Sequence, residues 1–277
     1  MLKQRVITAL VLMALLVPSL LAPSPWPFAL FCLVLMTAAA WEWARLNGAP
    51  ASAWWFAALL AGSCGVSLAL GWGQAAPAGL WWLALLLWVL MGSWVLRAGV
   101  PAWPRIPVLA RGVLGLLLLW TAWLAILNAR QVGINFLLSI FCIVWMADIA
   151  AYFGGRALGK RKLAPTISPG KSWEGVWSGM LGVFVLAIVW LWIDRSFVMD
   201  SGSLFTRLQQ RMGLIGLVLV VVFLAALSVV GDLFESLIKR SAAAKDSSGL
   251  LPGHGGVLDR FDALLPVVPV ALAFASL

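Results

Sequence analysis

Residues 236–262, SLIKRSAAAKDSSGLLPGHGGVLDRFD, form a polar island between two apolar runs, and their character sets how the rest of the chain is read. The island holds Lys239, Arg240, Lys245, Asp246, Asp259, Arg260 and Asp262 together with the single histidine, His254, although charged residues make up only 10% of the chain. Leu251-Pro252-Gly253 and Gly255-Gly256 flank His254, and glycine permits tight turns and close backbone approach to a ligand. Successive amides in such a turn can converge on one anion. Asp259 and Asp262 stand three apart, so a helix over them puts both on one face. Basic side chains, bare amides and paired acids in one short segment describe a site for phosphate and a hard divalent metal.

Either side of the island is strongly hydrophobic. The 277 residues are 63% hydrophobic with a mean hydropathy of +1.02, well beyond the half-apolar composition of a soluble domain. This predicts an all-α, polytopic integral membrane bundle. About nine segments approach the roughly 20 residues needed to span a bilayer: 6–22, 27–46, 52–71, 78–96, 110–128, 133–153, 173–193, 212–231 and 262–277. The first reads as a spanning helix rather than a secretory leader; the last is the shortest and carries Pro266 and Pro269. With the N-terminus cytoplasmic, only Arg130, Arg195, Arg207 and Arg211 of the 19 lysines and arginines fall outside, as the positive-inside rule requires. That bias and anionic headgroups account for the net charge of +9, so no nucleic-acid partner is expected. Cys32, Cys64 and Cys142 lie isolated in apolar segments, which speaks against a disulfide framework or a zinc site.

Two regions are expected: an N-terminal set of helices over 1–132 and a catalytic membrane region over 133–277. The first receives no chemistry. Its one notable acid, Glu42, reads as a local pair with Arg45 near a helix end, and the tryptophans read mostly as interface markers. No internal repeat is visible, which weighs against transporter folds built from inverted halves.

In the second region Asp148 interrupts INFLLSIFCIVWMADIAAYFGG, at a cost of at least about 2.5–3.5 kcal/mol on insertion. A substrate or metal contact, or else a buried ion pair, must offset that. The polar stretches Gly154–Lys162 and Ile167–Gly175 then supply Arg156, Lys160, Lys171, hydroxyls and glycines able to clamp phosphate. Gly170-Lys171-Ser172 is not a P-loop, because Pro165 stands where the first glycine is required. Ser168 or Ser172 is expected to cap the next helix. Residues 194–211 read as a solvated connector. The eighth segment carries Asp232, Glu235, Ser236 and Lys239 on one face, so Asp232 and Asp259 are expected to meet one metal.

Ser236-x-x-Lys239-Arg240, Lys245-Asp246 and Leu251-Pro252-x-His254-Gly255-Gly256-x-x-Asp259-Arg260-x-Asp262 together resemble the signature of the phosphatidate cytidylyltransferases, or CDP-diglyceride synthases. Asp148-x-x-Ala151-Tyr152, Gly155-Arg156-x-x-Gly159-Lys160 and Ser168-Pro169-x-Lys171-Ser172-x-Glu174-Gly175 are similar to that family's second motif, with Ser172 where threonine is frequent. The resemblance runs from about Ile134 to the C-terminus. It implies a Mg²⁺-dependent, often dimeric enzyme in the bacterial inner membrane. Such an enzyme joins CTP to phosphatidic acid among membrane lipids at the cytoplasmic face. By the resemblance Asp232 and Asp259 hold metal, with Asp262 and Asp246 as further ligands. Lys239, Arg240, Lys245 and Arg260 compensate triphosphate charge, and Arg156, Lys160 and Lys171 take the lipid phosphate or the triphosphate. Asp148, Ser168, Glu174, Ser236, Gly255 and Gly256 complete the substrate contacts. His254 is read either as a phosphate or leaving-group contact or as a structural hydrogen-bonder. The rival from another class is a secondary transporter of an anionic solute.

Overall fold

The computed structural model describes residues 2–277. Its helices are α1 (Leu2–Leu21), α2 (Trp26–Leu46), α3 (Ala53–Ala69), α4 (Ala78–Leu87), α5 (Ser93–Ala98), α6 (Val108–Val132), α7 (Ile134–Leu158), α8 (Trp173–Ser196), α9 (Leu204–Ser241), α10 (Leu258–Phe261) and α11 (Leu264–Ala275). A π-helical turn over Trp88–Gly92 joins α4 to α5. One antiparallel hairpin, β1 (Lys162–Ala164) with β2 (Ser168–Ser172), sets Lys162 opposite Ser172 and Ala164 opposite Ser168. Counting α4 to α5 as one rod, eight helices among the described residues are long and apolar enough to cross a membrane. Trp54, Trp55, Leu109 and Ile215 are at least 75% exposed on the outside of the bundle, a surface suited to lipid rather than water.

The expected ninth span is the exception. α11 has 12 residues, about 18 Å of helix at 1.5 Å per residue, against a hydrocarbon core of about 30 Å. It packs among α4, α6 and α9 and is buried along nearly its whole length. It begins deep in the bundle: a Cβ at Gly231 of α9 would lie 2.5 Å from the Asp262 carbonyl oxygen. Gly231 precedes the end of α9 by ten residues, about 15 Å. The polar island therefore folds back between the helices, and α11 completes the remaining depth.

Gly154 and Gly155 lie within helix α7, not in the expected phosphate-clamping loop. A Cβ at Gly154 would strike the Ser178 side chain, one at Gly175 would lie 2.9 Å from the Ala151 carbonyl oxygen, and one at Gly179 the same distance from that of Ala147. The glycines let α7 and α8 backbones approach, the small-residue packing of membrane helices.

Residues 194–211 are no solvated connector. Helix α9 already begins at Leu204, with Leu204, Phe205 and Leu208 buried. Asp194 accepts hydrogen bonds from the Ser203 amide and hydroxyl, the Thr206 hydroxyl and the Asn135 amide group. Asp200 accepts from the amides of Ile134 and Asn135 at the start of α7. Gly213, at φ +69°, kinks α9 between this stretch and its spanning part.

Several tryptophans also depart from the interface reading. Trp43, Trp88, Trp103 and Trp123 are fully buried. Trp43 Nε1 donates to the Arg111 carbonyl oxygen at 2.9 Å and Trp103 Nε1 to Asn47 Oδ1 at 2.8 Å, satisfying indoles that would otherwise be costly to bury. Phe234 of α9 packs against Trp43, Trp88 and Trp103 at centroid distances of 6.2, 5.4 and 5.4 Å.

Candidate active site

The candidate residues fall into three linked groups at one end of the bundle. The first surrounds Lys171, carried by β2. Its ammonium lies 2.6 Å from Asp232 Oδ2, and Ser236, one turn along α9, donates its hydroxyl to Asp232 Oδ1 at 3.2 Å. Asp148 of α7 and Asp262, at the end of α10, face the same point closely enough for their charges to act on Asp232 or Lys171. An open cavity of about 480 Å³ is lined by Asp148, Tyr152, Arg156, Ser168, Lys171 and Asp232, among others. Tyr152 is exposed on its outer side.

The second group is drier. Lys239 Nζ lies 2.5 Å from Glu235 Oε2 and 2.6 Å from Asp259 Oδ1. The other oxygen of Asp259 accepts from the Ser247 amide and hydroxyl at 2.9 and 3.0 Å and from the Gly256 amide at 2.8 Å. Burial opposes ionisation of Asp259, but its hydrogen bonds with Glu235, Lys239 and the two amides outweigh that and hold the carboxyl at about 2.

The third group is the turn around His254. Leu251 N donates to the Gly255 oxygen at 2.9 Å and His254 N to the Leu251 oxygen at 2.8 Å. This closure needs φ of +78° at Gly253 and +85° at Gly255, values that favour glycine. Arg260 donates to the His254 carbonyl oxygen at 2.7 Å. From α1, Arg5 Nε donates to the Gly253 oxygen and the Thr8 hydroxyl to the Pro252 oxygen, both at 2.9 Å. The turn, with Arg5, Lys245, Asp246 and Arg260, borders a second open cavity of about 740 Å³. His254 Nδ1 is buried without a hydrogen-bond partner among the described residues.

The hairpin connects to these groups through Arg240, whose Nε donates to the Ile167 oxygen at 3.3 Å. Ser172, not Ser168, caps α8, its hydroxyl accepting from the Gly175 amide at 3.2 Å. Glu174 is occupied in closing the segment before β1: it accepts from the amides of Lys160 and Arg161, both at 3.1 Å, and from Arg161 Nε at 3.2 Å. Lys160, Arg156 and Lys245 are exposed.

The structure thus gathers Asp148, Asp232, Asp262, Lys171 and Ser236 in one place, and Lys239 with Asp259 in another. Asp232 and Asp259 do not share partners. Helix α10 is a single turn of four residues, so the expected common face of Asp259 and Asp262 does not develop: Asp259 turns to Lys239, while Asp262 turns to the Lys171 group. Among the described residues no three acids, histidines or cysteines converge into a ready metal cage.

Glu42 departs from the local pairing expected of it. It is not paired with Arg45, whose guanidinium lies over the Trp41 ring, 4.5 Å from its centroid. Instead Glu42 is fully buried and accepts from the amides of Val257 and Leu258 at 2.9 and 2.7 Å and from the hydroxyls of Ser247 and Ser248. The rule that singled out Asp148, an acid inside an apolar helix, applies equally to Glu42.

Comparison with known proteins finds relatives along the chain. The chain is 38% identical to the phosphatidate cytidylyltransferase of Pseudomonas aeruginosa over 99% of this chain and 96% of that protein. It is 47% identical to that of Haemophilus influenzae over 50% of this chain and 44% of the relative, and 39% identical to that of Bacillus subtilis over 53% and 49%. A sequence model described as the cytidylyltransferase family matches residues 3–277. With that match across almost its whole length, the chain belongs to the cytidylyltransferase family.

Proposed function

We propose that this protein transfers the cytidylyl group of CTP to phosphatidate, forming CDP-diacylglycerol and pyrophosphate. The active end of the bundle faces the cytoplasm from a bacterial inner membrane. The observation that carries this reading is a cavity bearing Lys171 and Arg156 beside the exposed Tyr152, suited to a lipid phosphate, together with a cationic glycine turn, suited to a nucleotide triphosphate. In the reaction an oxygen of the lipid phosphate attacks the α-phosphorus of CTP. The bond from that phosphorus to the β-phosphate bridging oxygen breaks, and pyrophosphate carries the electron pair away. The attacking oxygen is already ionised, so no protein nucleophile is required. Catalysis is a matter of alignment and charge neutralisation.

Mg²⁺ would draw on the acids around Lys171, which among the described residues do not by themselves close a cage: Asp148, Asp232 and Asp262 set an excess of hard anionic oxygen against one ammonium, and substrate phosphates would supply the remaining ligands. Asp232 and Asp262 would hold the ion, with Asp148 beside them; bound there, it would neutralise charge developing on the phosphate oxygens. Asp259, whose oxygens already accept from Lys239 and two backbone amides, serves better as the anchor of Lys239, and Asp246 is the more open carboxylate at the nucleotide turn. Lys171, Arg156 and Ser168 take the lipid phosphate; Lys239, Lys245, Arg260 and His254 take the triphosphate. The family match favours transfer over transport of an anionic solute.

The test is formation of CDP-lipid from labelled CTP and phosphatidic acid by purified protein in detergent, with Mg²⁺ and with chelator. Metal-dependent product that falls by at least about 10²-fold in Asp232→Asn supports the reading. Folded wild-type protein that makes no CDP-lipid overturns it.

A further inference from the structure

Glu42 is fully buried, and among the described residues no lysine or arginine pairs with it. A buried carboxylate is costly unless its oxygens are satisfied. Here all four donors come from residues 247–258, more than 200 positions downstream: Ser248 Oγ at 2.5 Å and Val257 N at 2.9 Å to Oε1, and Ser247 Oγ at 3.0 Å and Leu258 N at 2.7 Å to Oε2.

These donors are more than a cap on α10. The Ser247 hydroxyl also lies 3.0 Å from Asp259 Oδ2, and the Ser247 and Gly256 amides donate to that same oxygen. A Cβ at Gly256 would collide with both the Glu42 carboxylate and the Ser247 hydroxyl. Of the two residues that hold one oxygen of Asp259, Glu42 binds Ser247 directly and fixes Gly256 through the amide of the next residue, Val257. The other oxygen of Asp259 holds Lys239 Nζ.

We propose that Glu42 is a positioning residue for cytidylyl transfer, acting through Ser247 and Gly256 on Asp259 and hence on the Lys239 ammonium. It touches no substrate. The role rests on the function proposed above: Glu42 sets where a triphosphate-neutralising charge stands when the transition state forms, so it governs kcat rather than substrate affinity.

The experiment compares wild type, Glu42→Gln, Ser247→Ala and the double variant in detergent. Glu42→Gln turns one acceptor into a donor facing a backbone amide or hydroxyl. The expected result is a kcat lower by about 10–100-fold, the range for residues that orient a site's direct contacts, with KM for CTP and for phosphatidate little changed. Backbone amides at 247–258 exchange hydrogen faster in the same variant without substrate. Ser247→Ala, which removes the link but leaves both amide bonds to Glu42, shows a comparable kcat loss, and the double variant is no worse than the more impaired single. Wild-type kcat in folded Glu42→Gln, or losses that multiply in the double variant, overturns the proposal. If Glu42→Gln does not fold, Ser247→Ala decides alone, and wild-type kcat there overturns it. Absence of CDP-lipid from wild type would sink the functional reading instead, while amide exchange would still report whether Glu42 clamps the loop.

Discussion

Lys171 and Lys239 each hold a carboxylate at 2.6 Å, yet their surroundings predict different consequences of removal. The Lys171–Asp232 pair is about a quarter exposed on each side. Pairs so open to solvent contribute about 0–1 kcal/mol, so Lys171→Met should leave thermal unfolding in detergent nearly unchanged while lowering CDP-lipid formation by about 10²-fold. Lys239 is 14% exposed, against 3% for Glu235 and 6% for Asp259. Lys239→Met strands two buried acids and should destabilise by about 3–5 kcal/mol, read as a marked fall in the unfolding midpoint. Equal stability losses in the two variants would contradict this assignment. At this scale the sequence exposes which acids matter better than what they touch. Asp148 and Asp232 stand out by the cost of charge in an apolar helix, and both line the cavity. The separation of Asp232 from Asp259 was illegible, because helical spacing places Asp232 on a face but does not say which side chain a folded-back loop presents to it. Glu42 was obscured by Arg45, a plausible neighbour three positions away that stacks on Trp41 instead.

Among the elements, the seam between α7 and α8 is the most sharply defined. A Cβ at Gly179 would lie 2.9 Å from a backbone oxygen that cannot swing aside, whereas Gly170 in the hairpin has open space around it. Gly179→Leu should therefore destabilise by about 1–3 kcal/mol through overpacking, and Gly170→Ala should be close to neutral; unfolding midpoints of the two in one detergent check both. The helices themselves were readable because a spanning helix must satisfy its backbone internally and shows as a long apolar run. Whether Gly154 and Gly155 belong to a loop or to a helix was not, since the same absent Cβ serves a turn and a close crossing alike. The 12 residues of α11 resembled a full span because the preceding loop supplies depth that hydropathy does not register.

Over the whole molecule, the site and the lock formed by Asp194 and Asp200 lie at opposite ends of the bundle. Val198, beside that lock, is fully exposed, and Lys245 is exposed at the site. The two larger-risk native thiols, Cys32 and Cys64, are buried, and Cys142 is partly so. A membrane-impermeant thiol reagent should label Val198→Cys in intact cells and Lys245→Cys only after the membrane is opened; the reverse pattern would invert the proposed orientation. Loop charge supplies the proposed orientation, while the dependence of the site on α1 and α2 was hidden, because the polar island gives no sign of which distant helices brace it. The cluster of Trp43, Trp88 and Trp103 around Phe234 has a use of its own. Trp43 adjoins Glu42 and Phe234 adjoins Glu235 in the chain, so these immobilised indoles form a native optical probe. Their near-ultraviolet circular dichroism should report, without any label, when the early helices have seated against α9.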